Sequence, residues 1–287
     1  MRHLFLVGCA LLVSWSCRLG GPTSQNDFLL INLSMPRSAT TSFAGIFGNY
    51  RSKHEYMISE TIHHLLDFRE NKIPKETLQR FLRERSKQSR LQVDSASFFF
   101  LAPDLVIDTF PEAYFFFTFR SCESWIVSMV DNSVFAHKMI RAGKHTVDIS
   151  FLDRYSEYFI SNHSHAVFQD MALLAAQADH IVANLARVWG DSTLRVLMAL
   201  DRVAPEQRLV IRMSEFSKFT PRFAELAKIP PDTLITENLH LNRDRDTRLY
   251  VRLLGAERLA RFCSPRQQKV ESWIKEHRMN FPDVSQP

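Results

Sequence analysis

The chain has 287 residues, 45% of them apolar and 11% aromatic, with eight glycines and twelve prolines. That is enough apolar material for a sizeable core and too little punctuation for a fibrous or disordered protein. The formal charge of +5 favours anionic partners, yet there is no zinc-finger spacing, no aromatic RNA-binding box and no long basic helix, so nucleic acid is not an expected partner.

Residues 1–21 combine a basic start, an apolar segment of about a dozen residues and a small-residue exit, which is the shape of a signal peptide and short for a membrane span. Membrane contact is expected only through this leader, if it is not cleaved, and the secretory route to a lumen such as the Golgi is favoured over the cytoplasm. Cys9 and Cys17 lie in the leader; Cys122 and Cys263 are left, which is no disulfide framework to support a secreted life. Residues 22–287 read as a single domain without internal repeats. The two sequons begin at Asn32, inside a predicted strand, and at Asn162.

Residues 28–34 (FLLINLS) form a short continuous apolar run with the length of a buried strand, and 41–50 (TSFAGIFGNY) continue as a helix that stops near Gly48. Between them lies a loop of Pro36, Arg37, Ser38, Ala39, Thr40 and Thr41. Small residues let backbone come close to a ligand, and N–H groups at a helix start favour negative charge, so the loop reads as an anion site. Residues 53–57 (KHEYM) predict a second strand. Helices follow over 59–70 and 74–88, the second opening on Pro74. The densest basic stretch, 80–90, interleaves a glutamate and reads as a solvated helix face.

Residues 113–120 (AYFFFTFR) make the strongest strand pattern, closed by Arg120 and followed by a helix over 121–140 with Ser121 as its expected N-cap. The pattern from 148 to 200 is mostly helical, 207–216 predict a late strand, and 220–229 a helix with Pro221 near its start. Strands alternating with helices imply an α/β fold with a central parallel sheet flanked by helices. Ligands in such sheets sit beyond the carboxyl ends of the strands, and the loops after Ser34 and after Arg120 each join a cation to hydroxyls there. A ligand with two separated anionic groups would use both.

This pair of loops resembles the nucleotide-binding signature of sulfotransferases that use 3′-phosphoadenosine 5′-phosphosulfate (PAPS). That family carries a P-[KR]-S-G-T-T loop after its first strand, which binds the 5′-phosphosulfate, and a strand-ending arginine followed eight positions on by a serine, which bind the 3′-phosphate. The corresponding residues here are Pro36 to Thr41, and Arg120 with Ser128. Looser similarity, over 101–125 and 185–216, extends the resemblance across most of residues 28–243. It implies a three-layer P-loop-like fold and transfer of a sulfonate from PAPS to a hydroxyl or amine acceptor, a carbohydrate or other small molecule, without metal. Nucleotide contacts are then expected from Arg37, Ser38, Ala39, Thr40, Thr41, Ser42, Arg120 and Ser128, and from Arg243 in a late basic loop. Residues 135–185 are expected to form an acceptor-side lid.

Two positions depart from the pattern: Ala39 replaces the usual glycine, and Ser121-Cys122 the usual Asp-Pro. If position 39 requires a positive φ, alanine there costs about 1 kcal/mol. For the catalytic base the family uses a glutamate or a histidine near the second strand. Glu55, 18 residues after Arg37 on that predicted strand, is the first candidate. A regular strand turns His54 to the opposite face, so only one of the two is expected inside, with Glu60 and Asp94 as further candidates. Arg37 is expected to serve catalysis as well as binding. A P-loop kinase is the competing enzyme reading, but the G-x-x-x-x-G-K-[ST] lysine is missing and no paired carboxylates stand out for magnesium. A nucleotide-binding relative without a working base is the nonenzymatic alternative. Residues 162–165 (NHSH) read as a loop rather than a metal site, Trp125 and Trp189 as core, and Cys122 as structural.

Overall fold

The computed structural model describes residues 28–142, 152–160, 167–168, 170–240 and 248–277. Arg243, Asn162 and the leader lie outside the described residues, as does part of the 135–185 segment.

A five-stranded sheet organises the fold: β1 (Leu30–Asn32), β2 (Ser52–His54), β3 (Val93–Ser95), β4 (Tyr114–Phe119) and β5 (Arg208–Arg212). The strand order is β2-β3-β1-β4-β5, and every paired neighbour is parallel. Parallel strands need crossovers, and helices supply them: α1 (Thr40–Ile46) leads to β2, α2 (Ile58–Arg69) and α3 (Lys75–Ser89) to β3, and α4 (Pro103–Thr109) to β4. The chain returns from β4 to β5 through α5 (Cys122–Arg141), α6 (Leu152–Ile160), α7 (Met171–Ala176) and α8 (Ala178–Asp201). It ends in α9 (Thr220–Ala227), α10 (Arg248–Leu254) and α11 (Ala256–Glu276). This is the expected α/β class, a parallel sheet covered on both faces.

The period-2 alternation of strand side chains divides the core. Ile31, Phe115 and Phe117 point into a large cluster with Trp125, Trp189 and the apolar stripe of α8. Their neighbours Leu30 and Phe116 point the other way, toward Phe43 and Phe47 of α1 and Phe223 of α9. Phe116 stacks on Phe43 with ring centroids 4.3 Å apart and meets Phe223 edge-on at 4.9 Å. Among the described residues no helix is long and apolar enough to cross a membrane.

Several boundaries differ from expectation. β2 stops at His54 rather than Met57, because Glu55 (φ 57°) and Met57 (φ 48°) turn into the left-handed region and end the extended run. β3 has a three-residue V-D-S sequence too short and polar to show periodicity; it is defined by pairing, Val93 opposite both Leu30 and Ser52. The expected late strand is Arg208–Arg212, and residues 213–219 tighten into 3₁₀ turns. The helices α10 and α11 correspond to no predicted element. Asn32 of the first sequon is fully buried, its side-chain N–H donating to Ser95 Oγ and its Oδ1 accepting from the Ser34 N–H.

Against expectation, the two cysteines outside the leader are paired. Cys122, at the start of α5, and Cys263, on α11, form a disulfide with Cα atoms 5.5 Å apart across 141 residues of sequence. Single cysteines far apart in sequence carry no pairing signal of their own; the packing of α11 against α5 brings them together.

Candidate active site

In the order β2-β3-β1-β4-β5 the connections from β1 run toward β2, whereas β4 lies on the other side of β1, so the crevice beyond β1 and β4 is the switch point where ligands enter such sheets. The loop after β1 is built there from polar ties. Ser34 Oγ accepts the Thr118 N–H at 2.7 Å, and Ser95 Oγ donates to the Thr40 carbonyl at 2.8 Å. The indole N–H of Trp125 donates to the Pro36 carbonyl at 2.8 Å. Each tie satisfies a buried polar group and fixes one point of the loop.

Within the loop, Arg37 (φ 66°) and Ala39 (φ 61°) are both left-handed. Position 39, the N-cap of α1, therefore does require a positive φ, and alanine adopts it. Ser38, Thr40 and Ser42 are buried, whereas Arg37, Ala39 and Thr41 are partly exposed.

The two predicted cation sites meet. Arg37 Nε donates to Ser128 Oγ at 3.1 Å, and Arg120 NH1 lies 3.4 Å from the Arg37 carbonyl, which accepts from it. Arg120 Nε donates to Ser124 Oγ, one helical turn before Ser128, and the Arg120 carbonyl accepts the indole N–H of Trp189 at 3.0 Å. Trp125 and Trp189 are buried as expected, and each also anchors one of the two loops.

His54 and Glu55 come to the same site from the end of β2. His54 Nε2 lies 3.1 Å from Thr40 Oγ1 and 3.4 Å from Thr41 Oγ1, and 3.5 Å from Glu55 Oε1. The expectation that only one of the pair faces inward fails because Glu55 is not in the strand; its left-handed backbone swings the carboxylate back beside the imidazole. The hydroxyl of Ser97, fully buried, donates to the same Oε1. Among the described residues no donor meets Glu55 Oε2, and the side chain is about a quarter exposed at 26%. One carboxylate oxygen is thus anchored by Ser97 while the side chain keeps some exposure to solvent.

The other two base candidates lie differently. Both carboxylate oxygens of Asp94 are engaged by Arg85 in a buried ion pair. Glu60 is exposed in the first turn of α2.

Behind the second loop, the N–H of Cys122 donates to Gln267 Oε1 at 3.1 Å, and Gln267 Nε2 donates to Glu271 Oε1 at 2.8 Å. Arg212, closing β5, donates to both oxygens of Glu271 at 2.7 and 2.6 Å, its guanidinium 5.0 Å from the Phe119 ring centroid. The hydrogen bonds from Arg212 hold the Glu271 carboxyl below its usual range against the opposing effect of burial. The same bonds, accepted by Glu271, raise the Arg212 guanidinium. Together with the disulfide, this network ties α11 to the strand ends that carry Arg120.

Ser97 donates to Glu55, Ser124 accepts from Arg120, and Arg85 meets Asp94 and the Tyr56 carbonyl, contacts that the sequence does not mark. A serine in a turn, a serine in the first turn of a helix and an arginine within a basic stretch carry no local mark of such contacts. Among the described residues no group of three or more His, Cys, Asp or Glu side chains is arranged to hold a metal ion.

No protein-family model matches the chain, and no curated protein matches it. Among solved structures it is similar to a sulfotransferase from Alicyclobacillus acidocaldarius at 15% identity, covering 86% of this chain and 96% of that one with a TM-score of 0.46. It is also similar to a sulfotransferase domain from the curacin biosynthetic pathway at 11% identity, covering 86% of this chain and 97% of that one with a TM-score of 0.40.

Proposed function

We propose that this chain is a sulfotransferase that moves a sulfonate from PAPS to a hydroxyl or amine acceptor, a carbohydrate or other small molecule, with Glu55 receiving the acceptor's proton. The observation that carries the reading is the convergence on one loop of two arginines and a histidine–carboxylate pair. Arg37 and Arg120 are joined through the Arg37 carbonyl, and His54 meets Thr40 and Thr41 of the same loop. A donor with two anionic groups calls for two cations, and transfer to a hydroxyl calls for a base.

Bound PAPS supplies a sulfonate carried on a phosphate leaving group. Residues 37–42 would hold its 5′ end through N–H groups, hydroxyls and the Arg37 guanidinium, and Arg120 with Ser128 its 3′-phosphate. Glu55, held through Oε1 by Ser97, takes the acceptor's proton at Oε2. As the bond from acceptor oxygen to sulfur forms, the bond from sulfur to the bridging phosphate oxygen breaks and its electron pair leaves with the phosphate. A positioned base of this kind contributes roughly 10²- to 10⁴-fold. The Cys122–Cys263 disulfide favours an oxidising compartment, and with it the secretory route suggested by the leader.

The test is calorimetric titration with the product nucleotide, 3′-phosphoadenosine 5′-phosphate (PAP), combined with PAPS consumption against water and a panel of hydroxyl and amine acceptors. Saturable PAP binding with PAPS consumption is expected. Binding without consumption would identify a nucleotide-binding relative that lacks catalysis, and absence of binding would overturn the reading.

A further inference from the structure

Arg85 is among the most deeply buried side chains of the protein, and the chemistry above gives it no part. It reaches from α3 to both oxygens of Asp94 on β3 and to the hydroxyl of Thr61 at 3.1 Å. Two more donations go to one backbone atom, the Tyr56 carbonyl, from NH2 at 2.7 Å and Nε at 3.2 Å. The guanidinium also packs 5.3 Å from the ring centroid of Tyr56 and 5.4 Å from that of Phe99.

A buried ion pair is a weak source of stability, because desolvation offsets most of the attraction and apolar residues of similar volume often serve the fold as well. What distinguishes this one is the atom it holds. Tyr56 is the middle of a turn whose two neighbours, Glu55 and Met57, are non-glycine residues in the left-handed region. Such a backbone is strained and persists only where its surroundings over-determine it. On one side the Glu55 N–H donates to the Ser95 carbonyl at 3.3 Å and Ser97 holds the carboxylate; on the other, Arg85 holds the carbonyl. Without that hold the turn can relax toward extended backbone, which would carry the Glu55 carboxylate away from His54, as a regular strand would.

We propose that Arg85 is a positioning residue. Pinned by Asp94, its planar fork clamps the Tyr56 carbonyl and keeps the strained 55–57 turn in the conformation that presents Glu55 to the cleft. The inference rests on the reading of Glu55 as proton acceptor. Lysine at this position would keep a positive charge beside Asp94, but as a point charge it does not reproduce the fork that meets Asp94, Thr61 and Tyr56 together.

The experiment compares the full chain with Arg85→Lys by three readouts: PAPS hydrolysis turnover, PAP affinity by calorimetry, and amide hydrogen exchange over residues 54–58. Turnover is expected to fall tenfold or more and exchange to rise by a similar factor, with PAP affinity within twofold of the parent. Unchanged turnover and exchange in the folded variant would overturn the proposal, and so would a loss of PAP affinity that parallels the loss of turnover. Where Arg85→Lys does not fold, the double variant Arg85→Met, Asp94→Leu removes both charges and is read in the same way; failure of both to fold would make Arg85 a support of the whole domain and overturn the role. If the parent chain neither binds PAP nor consumes PAPS, the sulfotransferase reading falls, and the exchange data still report whether Arg85 holds the turn.

Discussion

Arg37 and Ser128, 91 positions apart in the chain, meet at 3.1 Å from Nε to Oγ. The loop after β1 and the helix after β4 therefore form one continuous surface, which on the proposed reading would take both anionic groups of the donor rather than split them between separate sites. Arg120→Ala should weaken PAP binding about tenfold or more, since charge-assisted bonds are each worth roughly 1.5–3 kcal/mol. Adenosine 5′-phosphate, which lacks the 3′-phosphate, should lose little. Calorimetry with both nucleotides checks this, and equal losses would assign Arg120 to the fold. Arg37→Ala should weaken both nucleotides and remove most turnover.

Glu55→Gln keeps the shape of the side chain and removes its capacity to accept a proton. Turnover should fall about 10²-fold or more with PAP affinity nearly unchanged. Steady-state kinetics alongside calorimetry separate the two effects. If His54→Ala shows that profile and Glu55→Gln does not, the imidazole is the base.

Ala39 adopts φ 61° at the N-cap of α1. Left-handed backbone costs a non-glycine residue roughly 1–2 kcal/mol, while glycine adds roughly 0.4–1 kcal/mol of unfolded-chain entropy. Ala39→Gly should therefore be neutral or stabilising by up to about 1.5 kcal/mol, read from the urea midpoint, whereas glycine for alanine inside a helix costs about 1 kcal/mol.

The disulfide between Cys122 and Cys263 closes a long loop. Its loss should cost about 2–5 kcal/mol. Reductant should lower the urea midpoint of the parent chain and leave that of Cys122→Ser unmoved; a parent indifferent to reductant would mean the bond does not form in solution.

Glu271, held below the usual carboxylate range by Arg212, has the folded value under the unfolded one. Its contribution to stability is then present above the ordinary glutamate value of about 4.3 and is lost as pH falls through the lowered folded value. Thermal melts should show Glu271→Gln less stable than the parent at pH 7, with the gap closing below about pH 4.

The parallel sheet, the β1 loop and Arg120 were legible because each leaves a local mark: a dense apolar run, a cluster of small hydroxylated residues, an arginine at a strand end. The face presented by Glu55 was not legible, since period-2 reasoning assumes a strand that continues, and here the strand ends one residue earlier in a left-handed turn. β3 escaped because three residues cannot display a period, and the disulfide because its partners are joined only by the packing of α11 on α5. Arg85 sits in a stretch that reads as a solvated helix face, and its burial depends on Asp94 and Tyr56, which approach from other elements.

The indoles of Trp125 and Trp189 donate to the carbonyls of Pro36 and Arg120, one in each of the two loops that would grip the nucleotide. Indole emission responds to the polarity and hydrogen bonding around the ring, so the protein carries its own optical reporters at both ends of the cleft. Shifts in either loop on titration with PAP should change intrinsic fluorescence without any label. Trp125→Phe and Trp189→Phe would then separate the signal of the β1 loop from that of the β4 loop, giving a ligand screen that needs no knowledge of the acceptor.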